Sequence, residues 1–323
     1  MDGRTRFGIL GTGTIAKKFA EGLRDAPGAE LVAVGSRRAA TARAFAAELG
    51  IRRAHDSYEA LCADPAVDVI YVATPHTRHR DDTLLALAAG KHVLCEKPFA
   101  MNLREAEAMV AAARRSGRFL MEAMWTRFNP VMGELRRLLD RDAIGEVRTV
   151  LIDFGFRADF DPAGRLFDPA LGGGALLDVG VYCVSLAHFV LGGPALAYVG
   201  TAELGATGVD EQSAWIGRWP NGALAVMSAA IRTDTPMHAV LCGTKGTIRI
   251  PEFWNPRTLA VDEVQRTIPV VGNAYQYQAI EVMRCLRDGL RESPVMTLDM
   301  TLAIQRDLDR IRGQWGLRYP ADA

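Results

Sequence analysis

The hexapeptide GTGTIA at residues 11–16 limits the possible folds most narrowly, because it directly follows a short apolar run and leads into a helical pattern. This is the Gly-x-Gly-x-x-Ala form of the dinucleotide-binding turn. Gly11 would allow the tight turn, Gly13 the close approach of backbone to a pyrophosphate, and Ala16 the packing of helix on strand. The helix start would supply amide donors. We therefore predict cofactor contacts from Gly11, Thr12, Gly13, Thr14 and Ile15.

The end of the second predicted strand, Glu30 to Val34, indicates which dinucleotide binds. NAD-binding turns usually place an Asp or Glu about 20 residues beyond the glycines, to accept from the ribose 2′-hydroxyl. Here the strand is followed by Gly35, Ser36, Arg37 and Arg38, with no carboxylate. A hydroxyl and two guanidiniums suit a 2′-phosphate, so we predict NADP as the cofactor. The alternative is a solvated basic turn.

The sequence CEKPFA at residues 95–100 carries the first candidate for catalysis. It follows an apolar run, and a charged pair at the carboxyl end of a strand lies where open α/β sheets bind ligands. Only five of the 38 basic residues are Lys, so Lys97 is not a routine surface choice in this chain. We predict that Lys97 is catalytic and that Glu96 and Lys97 contact the cofactor. A solvated loop lysine is the alternative.

The run VDVIYVA at residues 67–73 is nearly continuous apolar sequence, which is typical of a buried parallel strand. Thr74 and His76 in the loop that follows are predicted to lie along the cofactor. His76 and His79 have H-x-x-H spacing, but no Cys or carboxylate converges on them, so we predict no metal site.

The rest of the first half alternates between strand and helix, which predicts a doubly wound parallel sheet, a Rossmann domain, over residues 1–124. The elements that carry this prediction are a helix from Asp81 to Ala89, a strand from His92 to Cys95, a helix from Arg104 to Ser116 and a strand from Arg118 to Ala123.

The second half has a different pattern, with a helix at 130–140, a strand at 146–156 and a series of strands from 195 to 261. Strands without intervening helices indicate a large, mostly antiparallel open sheet, and hence an α+β domain over residues 125–323. A helix is predicted from the glycine triplet at 172–174 to Leu191. Asp178 and Tyr182 are four residues apart on this helix and share one face. A phenol there can exchange a proton with a substrate hydroxyl.

These motifs, in this order, resemble the glucose-fructose oxidoreductase, inositol dehydrogenase and rhizopine catabolism (Gfo/Idh/MocA) family over essentially the whole chain. Within it, MEAMWTRFNP at 121–130, GGGALLDVGVY at 172–182 and FWNP at 253–256 are most similar to the dimeric dihydrodiol dehydrogenase and NADP-dependent D-xylose 1-dehydrogenase branches. Many members of the family have His where this chain has Tyr182.

The resemblance implies roles for particular residues. Lys97 and Tyr182 would carry the proton chemistry with support from Asp178, the nicotinamide would lie between the domains, and Arg165 would lie near the cofactor. Trp125, Phe154 and Trp254 would line the substrate pocket with Tyr182, with core packing as the alternative for the aromatic residues.

The resulting functional prediction is an NADP-dependent oxidoreductase that moves hydride between nicotinamide and a CH–OH or C=O carbon of a sugar, a polyol or a trans-dihydrodiol. The sequence does not separate these substrates. The alternative is a non-catalytic, NADP-dependent, sugar-responsive regulator, since this fold also serves in a transcriptional repressor. A regulator would not need Lys97, Asp178 and Tyr182 together.

Net charge, apolar patterning and Cys spacing limit the partners and the cellular location that we predict. Formal net charge is zero and the Arg pairs are scattered, so no nucleic-acid or anionic-membrane partner is predicted. No uninterrupted apolar stretch approaches roughly 18 residues, which argues against a membrane span. The five Cys are far apart without a CxxC, and the first strand begins almost at the N-terminus, so we expect cytoplasmic thiols. An uncovered apolar face of the second sheet would make the protein a homodimer.

Overall fold

The computed structural model describes residues 4–323, which form two compact units. The first unit contains residues 4–100, Arg104–Trp125 and Val271–Thr301. The second contains Met101–Leu103, Thr126–Val270 and Leu302–Ala323. The chain therefore returns to the first unit after it has built most of the second.

The first unit is organised on a six-stranded sheet in which every pairing is parallel. The strands lie in the order β3-β2-β1-β4-β5-β6, which reverses direction between β1 and β4, as in dinucleotide-binding folds. This confirms the predicted doubly wound sheet. The strands are β1 (Thr5–Leu10), β2 (Ala29–Gly35), β3 (Arg53–His55), β4 (Val69–Val72), β5 (His92–Glu96) and β6 (Leu120–Ala123).

Five helices connect these strands, and the two whose bounds were predicted, α4 and α5, differ from the prediction by two residues at most. β4 and β6 are buried along their whole length, which explains their continuous apolar sequence. The helices are α1 (Thr14–Leu23), α2 (Ala39–Leu49), α3 (Tyr58–Ala63), α4 (His79–Ala88) and α5 (Leu103–Ser116).

The second unit is organised on an eight-stranded sheet in the order β14-β13-β12-β11-β7-β10-β9-β8. The neighbours β7 and β10 are parallel and the other pairings are antiparallel, which confirms a mostly antiparallel sheet. The strands are β7 (Val147–Gly155), β8 (Ala197–Leu204), β9 (Asp210–Arg218), β10 (Leu224–Ala230), β11 (Ala239–Gly243), β12 (Thr247–Ile250), β13 (Thr258–Val261) and β14 (Val264–Thr267).

Two helices of the second unit were predicted with different success. α6 (Pro130–Asp140) occupies the predicted residues, because Asn129 caps its first turn and Pro130 favours the helical start. The helix after the glycine triplet is α7 (Val181–Leu191), but Leu176–Gly180 before it forms a π-helical turn. The prediction of one regular helix is therefore wrong for its first turn.

The segment Pro169–Leu191 is long and apolar enough to cross a membrane, but 83% of its most apolar window is buried inside the protein. The π turn and α7 pack on β7 and β10. Its apolar character is thus that of a core helix covering one face of the sheet.

The other face of this sheet carries an apolar row. Val199, Ile216, Val226 and Leu151 are register neighbours on β8, β9, β10 and β7, and their exposed fractions are 66%, 40%, 39% and 43%. A row of exposed aliphatic side chains across four adjacent strands is unusual for a monomer surface.

The return of residues 271–301 corrects the predicted domain boundary, which assigned everything after residue 124 to the second domain. α8 (Gln276–Arg287) belongs to the first unit, where it packs on α1 and β2 and buries Ala279, Val282 and Cys285. α9 (Leu298–Gln314) begins in the first unit and ends in the second. A local amphipathic pattern indicates a helix but not the sheet that it covers.

A pair of glycine variants tests this docking. Ala is normally better than Gly inside a helix by about 1 kcal/mol. At Gly22 of α1, however, a Cβ would lie 2.6 Å from Asn273 Oδ1 and 2.9 Å from Tyr275 Cβ. At Gly133 of α6 it would meet no described atom within 4 Å.

We therefore expect Gly22→Ala to destabilise the protein by about 1–3 kcal/mol and Gly133→Ala to stabilise it by about 0.5–1 kcal/mol. Urea unfolding of both variants measures this. Equal gains from the two substitutions would show that residues 273–276 do not press on α1.

Candidate active site

The loops that carry the predicted cofactor residues leave the parallel sheet at one edge. Leu10 is in register with Gly35 and with Val72, and Val72 is in register with Cys95. The carboxyl ends of β1, β2, β4 and β5 are therefore level. In open α/β sheets this edge, at the point where the strand order reverses, is where ligands bind.

The turn after β1 has the geometry of a phosphate site. Gly11 has φ +111°, its amide donates to Gly35 O at 3.0 Å, and a Cβ there would lie 2.6 Å from Ala73 O, so only glycine fits. Gly13 precedes α1, where no side chain caps the first amides and no acidic residue stands in the first turn. A Cβ on Gly13 would meet no described atom within 4 Å. Open space before uncapped helix amides fits a pyrophosphate.

The basic turn after β2 is ordered by short contacts. Ser36 is buried and its hydroxyl accepts from the Arg38 amide at 3.4 Å, while both Arg side chains are exposed. Tyr58 of α3 lies against Arg37; burial raises the pKa of this phenol, and the Arg37 charge opposes that rise. Tyr58 was not predicted as a neighbour, because it lies after the third strand and no motif marks it.

The loop after β4 is tied to the loop after β5 by His79. Its two ring nitrogens lie 2.9 Å from Thr74 O and 2.9 Å from Pro98 O, and burial lowers its pKa. Thr74 donates its hydroxyl proton to Asp82 at 2.7 Å. Because carbonyl oxygens occupy both nitrogens of His79, the H-x-x-H pair is not arranged as metal ligands. Within residues 4–323 no group of three His, Cys, Asp or Glu is placed to hold a metal.

Glu96 holds the backbone of Lys97. Its buried carboxylate accepts from the Tyr71 hydroxyl, and from the Lys97 amide at 3.1 Å. The Tyr71 ring in turn stacks on Phe19 of α1 at 3.8 Å. The Glu-Lys-Pro loop is thus fixed from inside the unit, and the Lys97–Pro98 peptide bond is cis. Cofactor contacts by Glu96 and by His76 stay predictions.

Three predicted site residues of the second unit come together in an aromatic cluster. Phe154, at the end of β7, packs edge-to-face on Tyr182 with ring centroids 5.3 Å apart. On another side it stacks on Trp254 at 5.7 Å and an interplanar angle of 25°. Phe253 closes the group at 6.0 Å from Phe154. An aromatic wall with one phenol is suited to bind a flat ring or the C–H face of a sugar.

Asp178, which precedes Tyr182 by four residues, forms an ion pair with Arg165. Arg165 Nη1 donates to Asp178 Oδ1 at 3.0 Å, with 62% of the Arg side chain and 8% of the Asp side chain exposed. The two residues assigned separately by the resemblance are therefore linked, although a cofactor contact by Arg165 stays a prediction.

Trp125 is placed differently from the other three aromatic residues. It belongs to the first unit, is almost completely buried and stacks on Tyr275 with ring centroids 4.4 Å apart. This contact gives its side chain a packing role in the first unit.

The strand order, the glycine turn where that order reverses and the Glu-Lys-Pro loop define a dinucleotide-dependent oxidoreductase. Residues 5–124 match the family model described as the oxidoreductase family, NAD-binding Rossmann fold, and residues 132–249 match the Gfo/Idh/MocA C-terminal domain. The chain belongs to the Gfo/Idh/MocA family, which confirms the predicted family and class of activity.

Relatives share nearly the whole length. A trans-1,2-dihydrobenzene-1,2-diol dehydrogenase from Xenopus tropicalis is 39% identical over 331 residues, 98% of this chain and 99% of the relative. Its Homo sapiens counterpart is 36% identical, with 98% of each chain covered. A solved structure of aldose-aldose oxidoreductase from Caulobacter crescentus, complexed with glycerol, has a TM-score of 0.89 at 27% identity, covering 96% of this chain and 97% of that one. A 3-ketoreductase from Actinomadura kijaniata, solved with NADP and TDP-benzene, has a TM-score of 0.86 at 25% identity with the same coverage.

The two glycines of the turn have separable roles that can be tested. We expect Gly13→Ala to keep the melting temperature of the wild type, because its Cβ meets no described protein atom. The same methyl group would stand where the pyrophosphate approaches, so dinucleotide affinity should fall by about tenfold or more.

Gly11→Ala is the matched variant, and we expect it to destabilise the fold because its Cβ would clash with Ala73 O. Calorimetric titration with NADP+ and thermal unfolding give both quantities. Unchanged affinity of Gly13→Ala would exclude this turn as the phosphate site.

Proposed function

We propose that this protein is an NADP(H)-dependent dehydrogenase or reductase acting on a CH–OH or C=O carbon of a sugar, a polyol or a trans-dihydrodiol. The observation that carries this proposal is the cluster of Phe154, Tyr182 and Trp254, which joins an apolar wall to one phenol. Support comes from relatives that are named as dihydrodiol dehydrogenases and from a structural neighbour named as an aldose-aldose oxidoreductase.

Hydride and proton are moved by different groups. When bound, the nicotinamide supplies or accepts the hydride. In oxidation, Tyr182 takes the proton of the substrate hydroxyl; in reduction it returns it. A phenol has a reference pKa of about 10 and is a weak base at neutral pH, and the role proposed for the Lys97 ammonium is to favour the anionic form. Asp178 stands in the π turn before Tyr182 and accepts a hydrogen bond from Arg165.

A turnover screen tests the proposal. The purified protein is assayed with NADP+ and NAD+ against aldoses, polyols and trans-dihydrodiols. Turnover of at least one class with NADP+ is expected, and the preferred class identifies the substrate. Binding of NADP+ without turnover of any class would favour the regulator.

Removal of the phenol hydroxyl tests the proton role. Tyr182→Phe should keep the fold and NADP+ binding but lower kcat by about 10²- to 10⁴-fold, the usual size of general acid–base catalysis. Lys97→Met should lose at least as much. Tyr277→Phe, which removes a phenol outside the aromatic cluster, serves as the control. If either site variant turned over its best substrate within about threefold of the wild type, the roles of Tyr182 and Lys97 in proton transfer would be wrong.

The preference for NADP(H) rests on Ser36, Arg37 and Arg38 and on the missing carboxylate at the end of β2. Since both Arg side chains are exposed, Arg37→Ala and Arg38→Ala should each weaken NADP+ binding by about 1 kcal/mol, at the low end for charge-assisted pairs. NAD+ affinity should hardly change. Arg43→Ala, an exposed Arg on α2, is the matched control for net charge. Equal losses for both cofactors would refute the phosphate assignment.

We also propose a homodimer built on the apolar row of Val199, Ile216, Val226 and Leu151. A second copy suits this face, because a two-fold axis pairs the same row with itself and buries both. Val226→Glu should convert the dimer to a monomer in light scattering, whereas Val264→Glu, at an exposed valine outside the row, should not. A monomeric wild type at micromolar concentration would end this proposal.

A cytoplasmic location is proposed from the thiols. All five Cys are free and four of them are buried. Burial raises the pKa of the Cys62 thiol to about 12, so it stays protonated and unreactive. Neither a nucleic acid nor a membrane is proposed as a partner.

A further inference from the structure

A buried carboxyl group holds the start of the helix that carries Tyr182. Asp210, the first residue of β9, is completely buried, and its Oδ2 accepts from the Leu176 amide at 2.7 Å and from the Ser213 hydroxyl at 3.4 Å. Leu176 is the first residue of the π turn. We propose that Asp210 is a positioning residue for Tyr182: its carboxyl group fixes where the π turn begins, and thereby where the phenol lies. This inference rests on the proposed role of Tyr182.

The carboxyl group sits directly against the glycine segment before the helix. Gly174 has φ +116°, and a Cβ there would lie 2.2 Å from Asp210 Oδ1 and 3.0 Å from the Tyr319 hydroxyl. That hydroxyl donates to Gly173 O at 2.7 Å. Asp210 and Tyr319 therefore pack against the backbone where the helix begins, and only glycine at position 174 leaves room for both side chains.

The placement of Asp210 is energetically costly. Its Oδ1 has no hydrogen-bond partner among the residues that the structure describes. Burial raises its pKa to about 7, although backbone amides and Ser213 partly oppose the rise. The titratable group facing it is Tyr319, and the Arg312 guanidinium lies over the Tyr319 ring, 5.5 Å from its centroid. Buried groups kept at such a cost concentrate at functional sites.

The path from Asp210 to the phenol is short and rigid. Tyr182 follows Leu176 by six residues, and residues 176–188 are buried without interruption. A π turn leaves the usual α-helical ladder, so its start is not set by the regular hydrogen bonds that follow. If the Leu176 amide lost its acceptor, the π turn could change to α-helical hydrogen bonding, and Tyr182 would then move away from Phe154. Misplacement by about 1 Å costs roughly 10²-fold in rate.

The same helix offers a matched control at its other end. Asp307 is also completely buried and accepts from His188 Nε2 at 2.9 Å and from the Tyr198 hydroxyl at 2.8 Å. His188 lies in the regular part of α7, as many residues after Tyr182 as Leu176 lies before it, so removal of the Asp307 carboxyl group loosens the α-helical end and leaves the start of the π turn in place. Asp210→Ala and Asp307→Ala therefore remove equally buried carboxyl groups from opposite ends of one helix.

The experiment measures kcat, KM, thermal stability and amide hydrogen exchange for Asp210→Ala, Asp210→Asn and Asp307→Ala. Both Ala variants should lose stability. Only Asp210→Ala should also lose kcat, by about tenfold to 10²-fold, with faster exchange in residues 174–184 and unchanged KM for NADP+. Asp210→Asn keeps an acceptor for the Leu176 amide, so it should restore kcat to within about threefold of the wild type.

Two results would overturn the inference: a kcat for Asp210→Ala equal to the wild type, or equal kcat losses in Asp210→Ala and Asp307→Ala. If Asp210→Ala does not fold, Asp210→Asn is the deciding variant. Asn keeps an acceptor for the Leu176 amide, so a kcat of Asp210→Asn that is tenfold or more below the wild type would also contradict the inference. Tyr182→Phe, measured in parallel, distinguishes a failure of the proposed function from a failure of the positioning role. High activity of Tyr182→Phe refutes the proposed function, whereas a low value beside an unaffected Asp210→Ala refutes only the positioning role.

Discussion

The level ends of four parallel strands are the constraint on which the first unit depends. Hydrogen bonding between β1, β2, β4 and β5 sets their register, and the register places the glycine turn, the basic turn and the Glu-Lys-Pro loop at one edge. Two further contacts hold this edge. Gly11 fits against Ala73 because it has no side chain, and His79 ties the loop of Thr74 to that of Pro98. The short polar loops therefore have a fixed geometry because the buried strands that carry them are held in register.

The second unit depends on how one face of its sheet is covered. Its sheet buries one face under the π turn and α7, whose sequence is apolar enough to resemble a membrane segment. Phe154, the last residue but one of β7, forms an aromatic wall with Tyr182 and Trp254 at the edge of that buried face. The helix that completes the core thus also carries the phenol, so packing and chemistry depend on the same segment.

The features that the sequence predicted correctly are those whose signal lies in a few adjacent residues. GTGTIA and CEKPFA are contiguous motifs whose glycines and charged residues have direct geometric reasons, and they placed the first sheet and its loops correctly. α6 was predicted to the residue because its cap and its proline are adjacent in sequence. The cluster of Phe154, Tyr182 and Trp254 was predicted only through the family resemblance.

What the sequence did not predict depends on contacts between distant residues. α8 has an ordinary amphipathic pattern, and its place on the first sheet is visible only in its contacts with α1 and β2. The π turn and Asp210 lie 34 residues apart at their contact, so no local spacing indicates that a carboxyl group fixes the start of that helix. The signal available in the sequence was an Asp at the start of an alternating strand, and this signal is weak because the sequence does not show that the Asp is buried.

The central claim is that hydride passes directly between the nicotinamide and a carbinol carbon of the substrate. The most direct measurement follows an isotope: the best substrate of the turnover screen, deuterated at its carbinol carbon, is oxidised with NADP+, and the reduced cofactor is analysed by mass spectrometry and NMR. The account predicts one deuterium on the nicotinamide ring, on a single face. Reduced cofactor without deuterium, or a label lost to water, would contradict it.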